Sequence, residues 1–165
     1  MASSALITAG VAAALLVVVV GIDASMTKTH AIDVWTGTGW RELARTPMSF
    51  ERAPHSWGAP PTISANASDD LRFRVRVDNS YAWSTTDDFR ALLAGEEVAS
   101  GRIETPARST REAEFTVSAS RYFERGARGP EMVEAGAPPL VYADLMVVVD
   151  GKQLFPSFQI REVSA

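Results

Sequence analysis

The chain has 165 residues, and 20 acidic residues against 16 Lys and Arg give it a formal net charge of -4. This acidic excess argues against a nucleic-acid partner, which a basic surplus would indicate, and it is too small for the surface of an extreme halophile. Because the sequence contains no cysteine, disulfides, thiolate metal sites and a cysteine nucleophile are excluded.

Residues 1–22 contain no charged side chain, and a run of this length matches the roughly 20 apolar residues that a helix needs to cross a bilayer. A secretory signal would have a basic start and a shorter apolar core, and a buried helix of a soluble protein would carry a polar stripe. We predict a transmembrane helix at about residues 5–22, within a signal-anchor segment spanning 1–24. Cleavage after Gly21 is the alternative.

A polar neck is predicted over residues 25–30, and residues 31–165 have the length of a single domain. The positive-inside rule has little to count, because Lys28 is the only basic residue within about 15 residues of the helix, and it would place the domain in the cytoplasm. An N-terminal anchor followed by an all-β domain is nevertheless a common plan for proteins that face the cell exterior. We therefore expect the domain to be extracytoplasmic.

Alternation of apolar and polar residues predicts short strands along most of the domain. The predicted strands are 32–34, 40–43, 71–78, 89–93, 98–103, 111–117, 140–149 and 154–163. Glycine-containing turns at 36–39, 94–97 and 150–151 favour hairpins, and Pro156 indicates a break or an edge position in the last strand. The strand spacing predicts an all-β, immunoglobulin-like antiparallel sandwich.

Two segments of the domain lack a regular pattern. Residues 46–61 contain four prolines and are predicted to form a loop between sheets. Residues 121–139 are rich in Gly, Pro, Arg and Glu, with room for a short helix around 131–135. Irregular segments of that length are commonly functional or mobile in compact domains.

Three stretches of the sequence carry a family resemblance. They are 71–79 (LRFRVRVDN), 89–100 (FRALLAGEEVAS) and 106–117 (PARSTREAEFTV). An alternating strand ending in Asn, a hairpin around a Gly-Glu turn and a Pro-led turn into another alternating strand resemble the CARDB type of immunoglobulin-like domain. The family's usual Gly soon after the Asn is missing here. The resemblance implies adhesion or assembly roles and supplies no active-site residue.

The plan of the whole chain suggests a second likeness. A Met-Ala-Ser-Ser start, an uncharged apolar helix and a β-sandwich of this size are together similar to the archaeal archaellum stator proteins. That likeness implies a helix in the membrane and a sandwich that contacts the surface layer.

The sequence contains no recognisable catalytic or metal-binding set. Its two histidines, His30 and His55, lie in poorly periodic segments and are interpreted as surface residues, because a zinc site needs three or four ligands. A blue-copper site would need a cysteine, and no Gly-x-Ser-x-Gly elbow is present. We predict no catalytic residue, no metal and no cofactor.

Paired carboxylates occur at strand ends and turns, where acidic residues are ordinary. The pairs are Asp69-Asp70, Asp87-Asp88 and Glu96-Glu97. The alternative is a calcium site, if the first two pairs met at one end of the sandwich.

Basic and aromatic residues in two places are candidate contacts for a partner. The polar face of the strand at 71–78 forms a basic stripe, which is either a docking strip for an acidic partner or lipid headgroups, or an exposed face neutralised by Glu112 and Glu114. Aromatic and Arg side chains also cluster in the loop at 121–139, which is either a contact surface, since these types are enriched in binding hot spots, or merely a long crossover. The candidate contacts are Arg72, Arg74, Arg76, Tyr122, Phe123, Arg125 and Arg128.

These features favour a non-enzymatic domain that is anchored in the membrane and contacts another protein of a cell-surface or envelope assembly. The expected partners are other envelope or membrane-complex proteins, and the bilayer itself through residues 5–22. One alternative is an accessory subunit of a membrane oxidase or transporter. Another is sugar or calcium binding by the sandwich alone.

Overall fold

The computed structural model describes residues 27–46, 61–125, 127–128, 140–142 and 144–163. The predicted membrane helix, His55 and the predicted helix at 131–135 lie outside these residues. Within the described ranges, no helix has both the length and the apolarity to span a membrane.

Strands make up most of the described chain. In chain order the elements are β1 Lys28–Trp35, β2 Trp40–Thr46, β3 Thr62–Ala65, β4 Asp70–Asn79, β5 Thr85–Leu93, β6 Glu96–Thr105, β7 Ser109–Ser118, α1 Ala119–Arg125, β8 Ala127–Arg128, β9 Leu140–Tyr142, β10 Leu145–Val149, β11 Lys152–Leu154 and β12 Gln159–Glu162.

Two four-stranded antiparallel sheets form the sandwich. The first sheet has the order β2-β1-β4-β7, and the second has the order β11-β10-β5-β6. Their inner faces share one apolar core, in which Phe115 of the first sheet lies 6.0 Å from Phe89 of the second, measured between ring centres. The antiparallel β-sandwich expected from the sequence is confirmed.

The alternation in β4 shows how the sequence produces this core. Its apolar residues Leu71, Phe73, Val75 and Val77 are all buried, because alternate side chains of a strand point to the same face. Phe73 stacks on Phe115 at 5.3 Å. The polar residues between them form the outer face of the sheet.

A third sheet, not predicted, has the order β3-β12-β9-β8 and includes a parallel pair, β3 with β12. Phe158, just before β12, places its ring centre 5.5 Å from that of Phe73, so this sheet contributes to the same core. The single strand predicted over 140–149 is wrong, because β9 joins the third sheet while β10 pairs with β5. The break predicted at Pro156 is confirmed, since 155–158 separates β11 from β12.

The two ends of the sandwich are distinct. At the first, Thr27 meets the loop 80–84, since Ser80 N donates to Thr27 O at 3.0 Å, and Lys28 contacts Asp150 in the turn 150–151. We call this the entry end. The turns 36–39 and 66–69 lie at the opposite, distal end, because β1 and β4 are antiparallel and pair Lys28 with Asn79 but Val34 with Phe73.

The boundary predicted for the polar neck is wrong at its C-terminal side. Lys28, Thr29 and His30, assigned to the neck, are the first three residues of β1. His30 faces the core and is fully buried. A polar residue at this position breaks the apolar alternation, which hid the start of the strand from sequence analysis.

We predict that Gly101→Ala destabilises the fold by about 1–3 kcal/mol, the usual cost of overpacking. A Cβ at this position in β6 would lie 2.7 Å from Cε1 of Phe89, whose ring is part of the core. Gly39→Ala is the matched control, because a Cβ there meets nothing within 4 Å. Thermal unfolding of the purified full chain measures both changes, and equal effects would contradict the packing of Phe89 over Gly101.

Candidate functional site

The outer face of the first sheet carries the basic stripe of Arg72, Arg74 and Arg76. The predicted acidic partners are in place on β7, since Arg72 Nη2 lies 2.9 Å from Glu114 Oε2 and Arg74 Nη1 lies 3.0 Å from Glu112 Oε2. The stripe is therefore largely neutralised within its own sheet, as the second of the two interpretations expected.

Asp33 of β1 explains why two of these arginines point along the sheet rather than into solvent. Its side chain is only 1% exposed, because Arg74 Nε at 2.7 Å and Arg76 Nη1 at 3.3 Å cover its Oδ2. Buried carboxylates require such paired, hydrogen-bonded cations. Arg74 and Arg76 keep 16% and 19% of their side chains exposed, against 47% for Arg72.

Two tryptophans complete this surface at its distal end. Trp35 ends β1, Trp40 begins β2, and their rings meet edge-to-face at 5.6 Å. The guanidinium carbon of Arg72 lies 5.6 Å from the centre of each ring, and that of Arg74 lies 4.7 Å from Trp40. These distances are within the range of cation–π attraction. We call Arg72, Trp35 and Trp40 the distal cluster.

Two of the contacts predicted in the segment 121–139 have side chains that the structure describes. The prediction that Tyr122 contacts a partner is wrong, because its side chain is fully buried and its ring centre is 5.7 Å from that of Phe158. Phe123 is half-buried against the core. Arg125 ends α1 and Arg128 lies in β8, and their side chains are outside what the structure describes.

The calcium alternative is wrong in its geometry. Asp69 and Asp70 lie at the distal end, where β4 begins, whereas Asp87 lies beside Lys28 at the entry end. The length of β4 separates them by roughly 30 Å at about 3.3 Å per residue. The two acidic pairs cannot share an ion.

A buried polar cluster at the entry end joins the two sheets. Asp87 of β5 is fully buried and contacts two residues of β1: His30 Nε2 is 2.9 Å and Lys28 Nζ is 2.8 Å from its Oδ1. Lys28 Nζ also lies 3.1 Å from Asp150 Oδ2. We call these four residues the inter-sheet cluster. The prediction of a surface position for His30 is wrong, while His55 is not described.

The charges in this cluster follow from burial and pairing. Burial is the largest influence on His30 and lowers its pKa, although Asp87 opposes this. Burial alone would raise the pKa of Asp87, but hydrogen bonds from Lys28 and His30 outweigh it and hold that pKa below its usual value. A neutral His30 then donates from Nε2 to an ionised Asp87.

The cluster has the residue types of a metal site, since ligand atoms of His30, Asp87 and Asp150 lie within 4.8 Å of one another. Lys28 Nζ is, however, in contact with both carboxylates. Its ammonium group supplies the positive charge that a metal ion would bring, so the donor set does not fit a metal. The arrangement is a structural bridge between sheets.

Sequence reasoning missed this cluster because its members are far apart in the chain. His30 and Asp87 are separated by 57 positions, and neither belongs to a recognisable motif. The one available signal was the position of each residue on the apolar side of a strand. His30 lies on the same face of its strand as Ile32 and Val34, and Asp87 lies on the same face as Phe89 and Ala91.

Comparison with known proteins gives no family assignment. No family model and no curated protein matches the chain. Among solved structures, a β-glucosidase from Erythrobacter marinus is 18% identical over 61% of this chain, which covers 14% of that enzyme, with a TM-score of 0.41. A β-glucosidase from Listeria innocua in complex with glucose is 11% identical over 65% of this chain, which covers 15% of that enzyme, at the same TM-score.

A CARDB domain from Pyrococcus furiosus, solved in complex with di-metal ions, also has a TM-score of 0.41, with 11% identity over 66% of this chain and 89% of that domain. These likenesses are too low to carry a conclusion about activity or ligands. The chain spans about one seventh of the two glucosidases.

We predict that Asp87→Ala destabilises the protein by about 1–3 kcal/mol, because it leaves the buried Nε2 donor of His30 without an acceptor and removes one of the two carboxylates that contact Lys28. The matched control is Asp88→Ala at the next position. Asp88 pairs with Arg102 in solvent, where 70% and 65% of the two side chains are exposed, and such pairs contribute little to stability. Chemical denaturation of both variants measures the difference, and similar midpoints would contradict the cluster.

We predict that stability falls in two steps on acidification, and that His30 causes the first step, at a higher pH than the carboxylates. Because burial lowers the pKa of His30 in the folded state, the unfolded chain takes up a proton first as pH falls below about 6.5, and stability falls with it. Asp87, whose pKa is also lowered, adds a second loss as pH falls below about 4.

The variant His30→Gln separates the two steps, since Gln donates a hydrogen bond but does not titrate. In this variant, the free energy of unfolding should change less between pH 7 and pH 5 than in the unaltered protein. An unchanged pH dependence would show that His30 is not the group responsible.

Proposed function

We propose that the chain is a non-enzymatic β-sandwich on the extracytoplasmic side of a membrane. Residues 5–22 anchor it in that membrane. It acts by contacting another protein of a surface or envelope assembly, and the distal cluster is the centre of the contact. The single observation that carries this proposal is the exposed Arg72 held beside Trp35 and Trp40.

The composition of the distal cluster favours protein contact. Trp and Arg are the residue types most enriched in binding hot spots. Arg72 keeps 47% of its side chain exposed and is fixed by Glu114 and by the two indole rings. A side chain that is already ordered loses less entropy on binding, which favours affinity.

The shape of the distal end also favours a contact there. A groove of about 280 Å³ lies beside Arg72 and Trp35, bounded by β3, by the turn at Thr36 and Gly37, and by Asp69–Leu71. A side chain of a partner could enter this groove while the indole rings pack against its surroundings. The combination of a pocket and an aromatic anchor is typical of interface centres.

The position of the cluster agrees with a tether at the other end. The described chain begins at Thr27 at the entry end, so a membrane anchor that precedes it would leave the distal end farthest from the bilayer. The resemblance of residues 71–117 to the CARDB type implies adhesion or assembly, which is the same class of function.

The test is site-specific photo-crosslinking of the full chain in its native membranes. The probe replaces Thr116, which is exposed and lies directly across from Arg72 in the β4–β7 register, and so leaves the distal cluster intact. A probe at Arg102, exposed on the second sheet, is the control. We expect one discrete protein adduct from position 116 and none from position 102.

The variant Arg72→Ala should remove the adduct, since loss of a hot-spot residue costs about 2 kcal/mol or more, roughly 30-fold in affinity. No adduct at position 116, or equal adducts at both positions, would contradict the proposal. Recovery of an oxidase or transporter subunit in the adduct would instead support an accessory role in a membrane enzyme complex.

A further inference from the structure

The entry end carries an aromatic pair that is not part of the distal cluster. Trp83 is 54% exposed, and its ring stacks on that of Tyr81 with centres 4.9 Å apart and planes 3° from parallel. Single exposed apolar residues are ordinary. A stacked Tyr–Trp pair on a loop tip is a larger apolar surface whose rings also carry a hydroxyl and an N–H group.

The loop that carries this pair is held firmly in place. Asn79, which is 2% exposed, donates from Nδ2 to Trp83 O at 2.9 Å and to Pro106 O at 3.0 Å. Its Oδ1 accepts from Tyr81 N at 3.0 Å, and Arg108 N donates to Tyr81 O at 3.0 Å. The stack is therefore fixed in an exposed position and does not fold back onto the core.

The same loop is bonded to the start of the described chain. Thr27 N donates to Ser80 Oγ at 2.8 Å, and Ser80 N donates to Thr27 O at 3.0 Å. The uncharged run ends at residue 22, and five residues of even fully extended chain reach at most about 18 Å. Any bilayer that holds this run lies close to the Tyr81–Trp83 loop.

Charge at the entry end matches an anionic bilayer surface. Arg108 and Lys152 are exposed there and make no ion pair with any residue in the described part of the chain. Three carboxylates at this end are paired: Asp150 and Asp87 with Lys28, and Asp78 with Arg45 and Arg76. Unpaired cations beside exposed Trp and Tyr are characteristic of surfaces that contact lipid headgroups.

We propose that the entry end of the sandwich lies against the bilayer, with Tyr81 and Trp83 in the interfacial region and Arg108 and Lys152 on anionic headgroups. This inference rests on the membrane anchor of the proposed function. It adds a second, peripheral contact that fixes the orientation of the domain and directs the distal cluster away from the membrane.

The chain without cysteine allows one fluorophore to be placed at will. Ser84→Cys puts an environment-sensitive dye on the Tyr81–Trp83 loop, and Thr38→Cys puts it on the exposed turn at the distal end. Each labelled full chain is reconstituted into vesicles of phosphatidylcholine and phosphatidylglycerol that contain a lipid with a nitroxide near the headgroup. Flotation with the vesicles is measured on the same samples.

We expect most of the fluorescence at position 84 to be quenched and that at position 38 to be unaffected. Trp83→Ala should restore much of the emission at position 84, while Phe155→Ala, which removes another exposed aromatic ring, should not. Replacing phosphatidylglycerol with phosphatidylcholine should weaken the quenching, because the headgroup charge that attracts Arg108 and Lys152 is lost.

Two results would overturn the inference and are distinguishable from each other. If the chain floats with vesicles but position 84 stays bright, the anchor stands and the peripheral contact is wrong. If the chain does not float, the anchor fails, and both this inference and the membrane part of the proposed function fall. Quenching at position 84 that Trp83→Ala leaves unchanged would also overturn the aromatic contact.

Discussion

The buried carboxylate of Asp87 fixes how the two sheets meet at the entry end. An ionised group there is tolerated only because Lys28 and His30 both reach it from β1. Apolar packing between Phe89 and Phe115 holds the sheets together but is non-directional, whereas the contacts to Asp87 have a defined geometry. They set β1 in one position relative to β5. The remaining features depend on β1, because it begins beside the entry-end loop and ends at Trp35 in the distal cluster.

A second buried carboxylate, Asp33, organises the opposite face of the same strand. It draws Arg74 and Arg76 along the sheet, where Glu112 and Glu42 complete their pairing. Of the three arginines of the stripe, Arg72 is left most exposed, and the indole rings beside it make it suitable for recognition. Each face of β1 therefore holds a buried carboxylate paired with cations: Asp87 is bridged to β1 on the inside, and Asp33 orders the arginines of the proposed contact surface on the outside.

Elements whose residues follow one local period were predictable from the sequence. Strict alternation placed β4 and its four core residues, and the turns at 94–95 and 150–151 formed the expected hairpins, with positive φ at Ala94 and Gly95 and at Asp150 and Gly151. Positions that are determined by tertiary contacts were not predictable. His30 alternates with core residues yet is polar, Tyr122 is an aromatic residue in an apparently irregular segment, and the apolar run 140–149 divides between two sheets. In each case the determining partner is distant in sequence.

The proposed function requires a protein contact at the distal end of the sandwich. Hydrogen exchange of the full chain, compared between native membranes and vesicles of pure lipid, measures that contact. The amides of the turn 36–39 and of β2, which flank the distal cluster, should exchange more slowly in native membranes, where the partner is present, than in vesicles. Equal exchange of these amides in the two preparations would show that no protein covers the distal end.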